Sequence, residues 1–265
     1  MTKQTGITHV TANLPTHMKD LDRKEYGLEG VGQFVIPPRI RVVHSMSDDS
    51  VTDMFGVGDV IAVPSMTMIA EMKRNNKGKP VSNKGFNFTP LFFFVEWVTW
   101  RAIGSSDTPV ADRSFDPRSE LARKARSPRL REEKTNEGDV RHIEHLNFIV
   151  QLDDTDIEPI ILSFARGEHT AGSKFCGLLK SRNAPIFGCV FHADLSERVN
   201  PKGSWWGMDI VNPVGASPWV TNEKSFSRFK TLHAGFKAAH QDNLIKPDYD
   251  SDSSDTGNGG KSNEY

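Results

Sequence analysis

The stretch from Leu91 to Arg101 constrains the fold of this chain more than any other part of the sequence. It reads Leu-Phe-Phe-Phe-Val-Glu-Trp-Val-Thr-Trp-Arg and is apolar at every position before Glu96. Aromatic and β-branched residues favour the pleated, extended backbone, and a short unbroken apolar run is consistent with a buried strand. The segment therefore predicts a β-strand, and it is the strongest strand signal in the chain.

Further apolar segments separated by turn residues predict a β-rich fold. Gly56-Val-Gly-Asp59 is a tight turn before a strand at 60–63, and Gly and Asn within 73–85 supply the positive φ angles of a hairpin tip. The other predicted strands lie within 33–42, 66–72 (as a continuation of 60–63), 91–101, 145–152, 159–164, 185–193 and 205–211.

Two segments have the three- and four-residue apolar spacing of a helix. One is 168–182, and the other is 222–243, for which Asn222 is the predicted N-cap. Residues 104–139 are polar and predict a long loop that contains one short helix. Many strands and few helices predict a β-rich α+β fold, namely an OB-like, partly open β-barrel with long loop insertions and a C-terminal amphipathic helix.

Composition divides the chain into three parts. Residues 1–30 predict a polar N-terminal arm, residues 31–245 a single β-rich DNA-binding domain, and residues 246–265, rich in Ser, Asp and Gly, a disordered acidic tail. The longest apolar run, Leu91–Val95, is far shorter than the ~20 residues that span a bilayer. The N-terminus lacks the apolar core of a signal peptide, and two cysteines exclude a disulfide scaffold, so we expect a cytoplasmic protein without membrane contact.

The formal net charge of −1 conceals a division between body and tail. Residues 248–265 carry −4, which leaves +3 on residues 1–247. A mildly basic body with an acidic tail indicates a polyanionic partner or a charged interaction tail. Such a tail can compete with nucleic acid for the body, and its aromatic end can dock on partner proteins. The predicted partner-binding residues are Asp248, Asp250, Asp252, Asp255, Lys261, Glu264 and Tyr265.

Two basic segments flank the aromatic strand. Residues 73–85 contain five bases and no acid, and residues 113–131 contain seven bases against Asp116 and Glu120. Sites for single strands combine a positive groove for phosphates with aromatic side chains that stack on bases, at roughly 1–3 kcal/mol per base. The predicted DNA contacts are Lys73, Arg74, Lys77, Lys79, Lys84, Phe92, Phe94, Trp97, Trp100, Arg101, Arg118, Arg123, Lys124, Arg126, Arg129, Arg131 and Trp206.

Each of these features has a structural alternative. Aromatic residues on a strand are more often core than stacking platform, and a charged loop is usually only solvated. Adjacent strand residues face opposite ways, so one of Trp205 and Trp206 is expected to be exposed. The sequence leaves open which aromatic residues stack on bases and which belong to the core.

A zinc site is a weaker hypothesis. Four residues of the right types lie within a short stretch, and their identities are His169, Cys176, Cys189 and His192. Positions 189 and 192 fall in one predicted strand and would point to opposite faces, so buried reduced cysteine is the favoured interpretation.

Catalysis has little support in the sequence. It contains no phosphate loop, no dinucleotide-binding glycine fingerprint and no nucleophile elbow. Asp153, Asp154 and Asp156 cluster in a predicted turn and are the candidate ligands of a metal-dependent nuclease. A polar turn is the simpler explanation, so we expect no enzyme activity and no cofactor.

Two runs, Pro38-Arg-Ile-Arg-Val-Val-His-Ser-Met-Ser47 and Val57-Gly-Asp-Val-Ile61, together with the aromatic strand, resemble the single-stranded DNA-binding proteins of tailed bacteriophages. The acidic tail and overall layout resemble the type found in lytic phages whose protein also assists host RNA polymerase. The resemblance implies an OB-like core that binds single strands without strong sequence preference. It also implies roles in phage replication and recombination, and in late transcription through the tail. Cellular members of this class end in Pro-Phe, whereas this tail ends Asn-Glu-Tyr265.

We therefore expect a non-catalytic single-stranded DNA-binding protein of the host cytoplasm, whose tail contacts replication or recombination proteins and host RNA polymerase. Two alternatives stay open. One is a protein-binding transcription co-regulator in which the tail is the active part and DNA is incidental. The other is a metal-dependent nuclease that uses residues 153–156.

Overall fold

The computed structural model describes residues 37–45, 47, 49–102, 108–136, 138–153, 158–201 and 203–249. All described residues belong to one compact unit that begins at Pro37. The described strands are β1 Arg39–Val42, β2 Val60–Val63, β3 Thr67–Ala70, β4 Met72–Arg74, β5 Pro80–Asn83, β6 Phe86–Arg101, β7 Val110–Ser114, β8 Glu132–Thr135, β9 Gly138–Leu152, β10 Ile160–Phe164, β11 Phe191–Asn200 and β12 Gly203–Val211. The helices are α1 Asp49–Thr52, α2 Glu120–Arg126, α3 His169–Arg182 and α4 Glu223–Gln241, with 3-10 turns at Arg166–Glu168 and Ile186–Gly188.

Ten of the described strands form one mixed sheet in the order β12-β11-β6-β9-β10-β1-β2-β3, with β7 beside β6 and β8 beside β9. The pair β1 and β10 is parallel, and the other pairs are antiparallel. β4 and β5 form a separate hairpin. Within the described residues this path of strands does not close on itself. The β-rich α+β class is confirmed, and the OB-like barrel stays a prediction.

The two longest strands, β6 and β9, form the centre of the sheet and pair along most of their lengths. Pro90 interrupts β6, and the register shifts between Pro90 and Phe92, as expected for a residue without an N–H to donate. The short strands β11 and β7 pair with opposite ends of β6, and β10 and β8 pair with opposite ends of β9. The aromatic run is thus confirmed as a strand, and it occupies the middle of the sheet.

Side chains alternate along these strands, so the two faces of the sheet have different cover. On one face, α3 packs through Phe175 on Phe148 and Phe164, and α2 covers Trp97. The opposite face, here called the α4 face, lies under α4, which packs through Phe236. The buried apolar residues of this second cluster are Phe92, Phe94, Ile149, Ile161 and Ile245.

The predicted helices are confirmed, and their ends follow from local chemistry. The Asn222 side chain accepts a hydrogen bond from the Ser225 N–H at 2.9 Å and caps α4. Ser119 caps α2 in the same way through the Ala122 N–H at 3.1 Å. α3 ends where Asn183 takes a left-handed conformation with a φ of 46°. None of the described helices is long and apolar enough to cross a bilayer.

Three local predictions are wrong. Residues 67–70 do not continue β2, because the chain turns at Ser65 and Met66 and β3 returns antiparallel to β2. Residues 104–139 contain β7 and β8 as well as α2. Neither strand has a buried residue or an apolar alternation, so the sequence pattern did not show them. β11 begins only at Phe191, after a 3-10 turn.

The predicted tail begins too early. Pro247 is buried and Tyr249 is only 1% exposed, so the folded body extends at least to Tyr249. Asp248 between them is half-buried. The predicted N-terminal arm and the remaining tail residues Asp250, Asp252, Asp255, Lys261, Glu264 and Tyr265 lie outside the described residues.

Candidate nucleic-acid interface

The β4–β5 hairpin carries the first predicted basic segment. At its tip, the Asn75 Oδ1 accepts hydrogen bonds from the backbone N–H groups of Lys77 at 2.9 Å and Lys79 at 3.0 Å. Gly78 takes the positive φ of 75° that the tip requires. Among the described residues, four lysine side chains of the hairpin are exposed and have no hydrogen-bond or ion-pair partner, and these are Lys73, Lys77, Lys79 and Lys84.

Asp59 anchors the base of the hairpin. It is 2% exposed, and its carboxylate accepts hydrogen bonds from the backbone N–H groups of Gly56 at 2.7 Å and Met72 at 2.8 Å. Arg74 donates to the same carboxylate at 2.8 Å and to the Met72 carbonyl at 2.9 Å. Arg74 therefore holds the hairpin to the residue that precedes β2. Its charge is compensated, unlike those of the four lysines.

In the second basic segment, the three cations of α2 itself, Arg123, Lys124 and Arg126, pair with acidic neighbours. Arg123 pairs with Glu120 at 3.4 Å, and the Lys124 ammonium lies 2.6 Å from Glu133. Hydrogen bonds from Lys124 and His142 lower the pKa of Glu133 and keep it ionised. These cations and carboxylates form neutral pairs on the surface, so the charge count of the sequence overstates the positive potential here.

Glu144 draws Arg126 into a similar arrangement. Its carboxylate accepts hydrogen bonds from the Trp97 indole at 2.7 Å and from Arg126 at 3.0 Å, and it lies 3.0 Å from the His169 ring nitrogen. The Arg126 guanidinium also lies 4.7 Å from the centre of the Trp97 ring. Burial raises the pKa of Glu144, but the hydrogen bonds from Trp97, His169 and Arg126 outweigh it, and the net shift is downward.

The remaining arginines of the prediction divide into two kinds. Arg101 donates to the Val110 carbonyl at 2.7 Å and holds the end of β6 to the start of β7. Arg131 donates to the Ala125 carbonyl at 3.4 Å. The side chains of Arg118 and Arg129 are exposed and have no partner among the described residues.

Four of the five aromatic residues predicted to stack on bases lie in the core. Trp97 is 2% exposed, Phe94 3%, and Phe92 and Trp206 9% each. For Phe92, Phe94 and Trp97 the reason is topological, because β6 is the central strand and both faces of the sheet are covered. Trp206 lies on β12 and packs in the main core cluster. Trp205 is more exposed than Trp206, so the expected alternation places Trp206 on the inner side. The predicted stacking role is therefore corrected to a packing role for these four residues.

Trp100, the fifth aromatic residue, is half-buried in a polar cluster on the α4 face. At the centre of this cluster, Glu96 is 0% exposed and accepts a hydrogen bond from the Tyr249 hydroxyl at 2.8 Å. The Arg113 guanidinium lies 3.5 Å from the Glu96 carboxylate, and the Asn147 amide donates to it at 3.4 Å. Burial raises the pKa of Glu96, although Arg113 and the two hydrogen bonds oppose the shift.

His145 in this cluster is neutral. Burial, assisted by nearby arginines with Arg166 foremost, lowers the pKa of His145 to about 3. The Trp100 indole donates to its Nε2 at 3.2 Å, so Nε2 is the acceptor and Nδ1 carries the proton. That proton faces the Ser163 hydroxyl at 3.4 Å. The histidine therefore adds no positive charge to the cluster.

Sequence reasoning missed the exposed bases of α4. The bases there lie between the apolar positions that predicted the helix, so the helical spacing itself was the signal that could have found them. Among the described residues, their side chains are exposed and without a partner, and they are Lys224, Arg228, Lys230 and Lys237.

Sequence reasoning also missed Trp219, which is 45% exposed and the most exposed tryptophan of the chain. The Arg182 guanidinium lies 5.3 Å from the centre of its ring. The backbone of Trp219 pairs with Cys189, and His192, three residues further, lies against Gly85 at the base of the β4–β5 hairpin. An exposed aromatic ring thus lies at the same end of the sheet as the exposed lysines.

The zinc candidates do not converge. His169 pairs with Glu144 on the face of the sheet covered by α2 and α3, and His192 contacts the Asn87 amide oxygen at 2.8 Å. Cys189 is buried and Cys176 half-buried, and burial raises the pKa of both thiols. In the part of the chain that the structure describes, no three His, Cys, Asp or Glu side chains are placed to hold a metal ion.

Of the three nuclease candidates, only Asp153 is among the described residues. Asp153 lies in the turn after β9, where its N–H donates to the Asn87 carbonyl at 3.1 Å. Asp154 and Asp156 lie outside the described residues.

Comparison with known proteins finds one match, and it is to a protein-family model. Residues 68–242 match the family model described as Pam3 phage gp34-like protein. The matched range runs from β3 to the end of α4, so it includes the lysine hairpin, Trp219 and the exposed bases of α4. No curated protein and no solved structure matches the chain. The chain belongs to the Pam3 phage gp34-like protein family.

Proposed function

We propose that this protein binds single-stranded DNA without catalysis and without strong sequence preference, in the replication and recombination of phage DNA. The observation that carries the proposal is the β4–β5 hairpin with its four exposed, unpaired lysines. Flexible ammonium groups contact phosphates of any sequence, and the release of counterions from the strand drives this kind of binding. Two of these lysines, Lys73 and Lys84, line an open cleft at the hairpin base.

The surroundings of the hairpin favour a single strand over a duplex. Trp219 offers an exposed ring, and stacking requires an unpaired base whose face is free. α4 begins at Glu223, shortly after Trp219, and presents Lys224 and Arg228 on its outer face. We infer that the strand runs from the hairpin across Trp219 toward α4, and that Trp219 takes the stacking role first assigned to the aromatic residues of β6.

The remaining parts of the proposal rest on the resemblance to phage single-stranded DNA-binding proteins and on the bacteriophage family to which the chain belongs. The β-rich body acts as an OB-like binding platform. The acidic residues 250–265 contact replication or recombination proteins in the host cytoplasm. Through host RNA polymerase, the same residues activate late transcription.

Binding of oligo-dT to the full chain, followed by tryptophan fluorescence over a range of salt concentrations, tests this proposal. We expect saturable quenching, because the strand covers Trp219. We also expect log affinity to fall with log salt concentration by about 0.7 for each phosphate contacted. Absence of binding at low salt would remove the proposal.

The same sample discriminates between the alternatives. Degradation of the oligonucleotide after addition of Mg²⁺ would favour the nuclease. A protein that binds host RNA polymerase but no oligonucleotide would favour the co-regulator. Deletion of residues 250–265 should leave oligo-dT binding intact or strengthen it, because the deleted charges are acidic.

A further inference from the structure

Tyr249 fills a pocket whose walls suit a nucleobase. Its ring is 1% exposed and lies with its centre 4.7 Å from the Arg39 guanidinium and 5.4 Å from the Arg113 guanidinium. The rings of Trp100 and His145 pack beside it, with centres at 5.0 Å and 5.3 Å. Guanidinium groups and aromatic rings are the side chains on which proteins stack bases.

The floor of this pocket has more hydrogen-bond acceptors than Tyr249 satisfies. Glu96 and Asn147 are both 0% exposed, and the Tyr249 hydroxyl provides one donor to Glu96 Oε2. Among the described residues, Asn147 Oδ1 has no hydrogen-bond partner, and Glu96 Oε1 has no hydrogen bond and only the ion pair with Arg113 at 3.5 Å. Buried acceptors are normally satisfied, and an orphaned acceptor calls for a donor that the folded chain does not supply.

The charge around the pocket favours an anion beside the ring. The Arg39 and Arg113 guanidinium groups lie over the Tyr249 ring, and the Arg166 guanidinium lies 5.5 Å from the centre of the neighbouring Trp100 ring. Glu96 is the carboxylate on the pocket floor. The half-buried residue Asp248 precedes Tyr249, so the tail places an anionic group next to an aromatic ring. A nucleotide has the same two parts, a planar base and an adjacent phosphate.

We propose that this pocket is a nucleotide subsite for the single strand, that it prefers guanine, and that Asp248 and Tyr249 occupy it in the free protein. This rests on the proposed function. Guanine presents two neighbouring N–H donors, N1–H and the N2 amino group, which match a carboxylate. Thymine has one such donor and cytosine and adenine have one amino group beside an acceptor. The strand displaces Tyr249 when a guanine enters.

Tyr249→Ala in the full chain tests the subsite, with isothermal titration calorimetry against oligo-dT and against the same oligo-dT with one central deoxyguanosine. In the wild type, Tyr249 competes, and the two affinities differ little. In Tyr249→Ala we expect the guanine-containing strand to bind about tenfold more tightly than oligo-dT, because the competing occupant is gone. Adding Glu96→Gln should return that ratio to about one, since the carboxylate that distinguishes guanine is lost.

The outcomes separate this inference from the proposed function. If both variants bind the two strands equally while salt-dependent oligo-dT binding persists, the subsite is refuted and the proposed function stands. If dGMP binds Tyr249→Ala but neither strand does, the pocket takes free nucleotides, and both the strand assignment and the proposed function fail. If Tyr249→Ala shows no cooperative unfolding transition, the same titrations are made with Tyr249→Phe. This variant removes only the hydroxyl group that donates to Glu96. We then expect a smaller gain for guanine, and equal affinities would overturn the inference.

Discussion

The two basic segments of this chain look alike in sequence but differ on the folded surface. The β4–β5 hairpin has four lysines without a partner among the described residues, and its arginine, Arg74, pairs with Asp59. The α2 segment is more basic by count, yet Arg123, Lys124 and Arg126 all lie within ion-pair distance of glutamates. Charge density along a sequence is therefore a poor measure of the charge available to a polyanion.

The difference arises from what each segment packs against. α2 packs on Trp97 of β6, and the cations of α2 lie close to Glu133 of β8 and Glu144 of β9. The hairpin forms a sheet of its own and has no acidic residue between Lys73 and Lys84. We therefore predict that phosphate contacts depend on the lysines of the hairpin. The cations of α2 contribute ion pairs on the surface of the protein.

Replacement of Lys73, Lys77, Lys79 and Lys84 by alanine should have the largest effect. We expect the affinity for oligo-dT to fall by about 100-fold at moderate salt, with the salt slope reduced by about 2 to 3, because phosphate contacts are lost. Fluorescence titrations at several salt concentrations measure both quantities. An unchanged slope would contradict the assignment of the hairpin, and circular dichroism of the variant checks that the fold is retained.

Asp59→Ala should have the second-largest effect, because it destabilises the base of the hairpin. Asp59 is 2% exposed and accepts hydrogen bonds from two backbone N–H groups and Arg74, so its loss leaves donors unpaired. We expect the free energy of unfolding in urea to fall by about 2 kcal/mol. Asp59→Asn, which keeps one acceptor oxygen, should lose less. Equal stability of the wild type and Asp59→Ala would show that the hairpin is held by other contacts.

Trp219→Ala should weaken binding by about tenfold, the value of one stacked base. The salt slope should stay as in the wild type, because stacking releases no counterions. Trp205→Phe is a suitable control, since Trp205 is half-buried and its indole N–H donates to Glu168 at 3.0 Å. Most of the fluorescence quenching should persist in the control and disappear in Trp219→Ala. Retained quenching in Trp219→Ala would place the strand elsewhere.

The double variant Arg123→Ala and Lys124→Ala should have the smallest effect. Both cations already pair with glutamates on the surface, and exposed ion pairs contribute about 0–1 kcal/mol. We expect less than a threefold loss of affinity for oligo-dT. A loss as large as that of the lysine variant would erase the distinction between the two segments.

Much of the fold could be predicted because the type of an element depends largely on the local pattern of apolar residues. The aromatic run gave β6, the spacing of apolar residues gave α3 and α4, and Asn222 marked the start of α4 correctly. β7 and β8 were missed because neither strand has a buried residue, so neither shows apolar alternation. Their position depends on pairing with the central strands, which no local pattern encodes.

The candidate site was less predictable, because burial and ion pairing join residues distant in sequence. The sequence around Trp97 predicts a stacking residue, but α2 packs on its ring and buries it. Tyr249 lay in a segment whose Ser and Asp content indicated disorder, and its partner Glu96 is 153 positions away. The lysines of the hairpin could be found from sequence because a tight turn lies between them and the hairpin itself contains no acidic residue from Lys73 to Lys84.

Photo-crosslinking of oligo-dT containing 5-iodouracil to the full chain, followed by peptide mapping, tests the central claim most directly. We expect crosslinks to peptides that contain Trp219 and to peptides that contain the hairpin residues 72–84. These crosslinks should be lost in the variant that lacks the four lysines. Crosslinks concentrated in residues 113–131, with none in the hairpin, would contradict it.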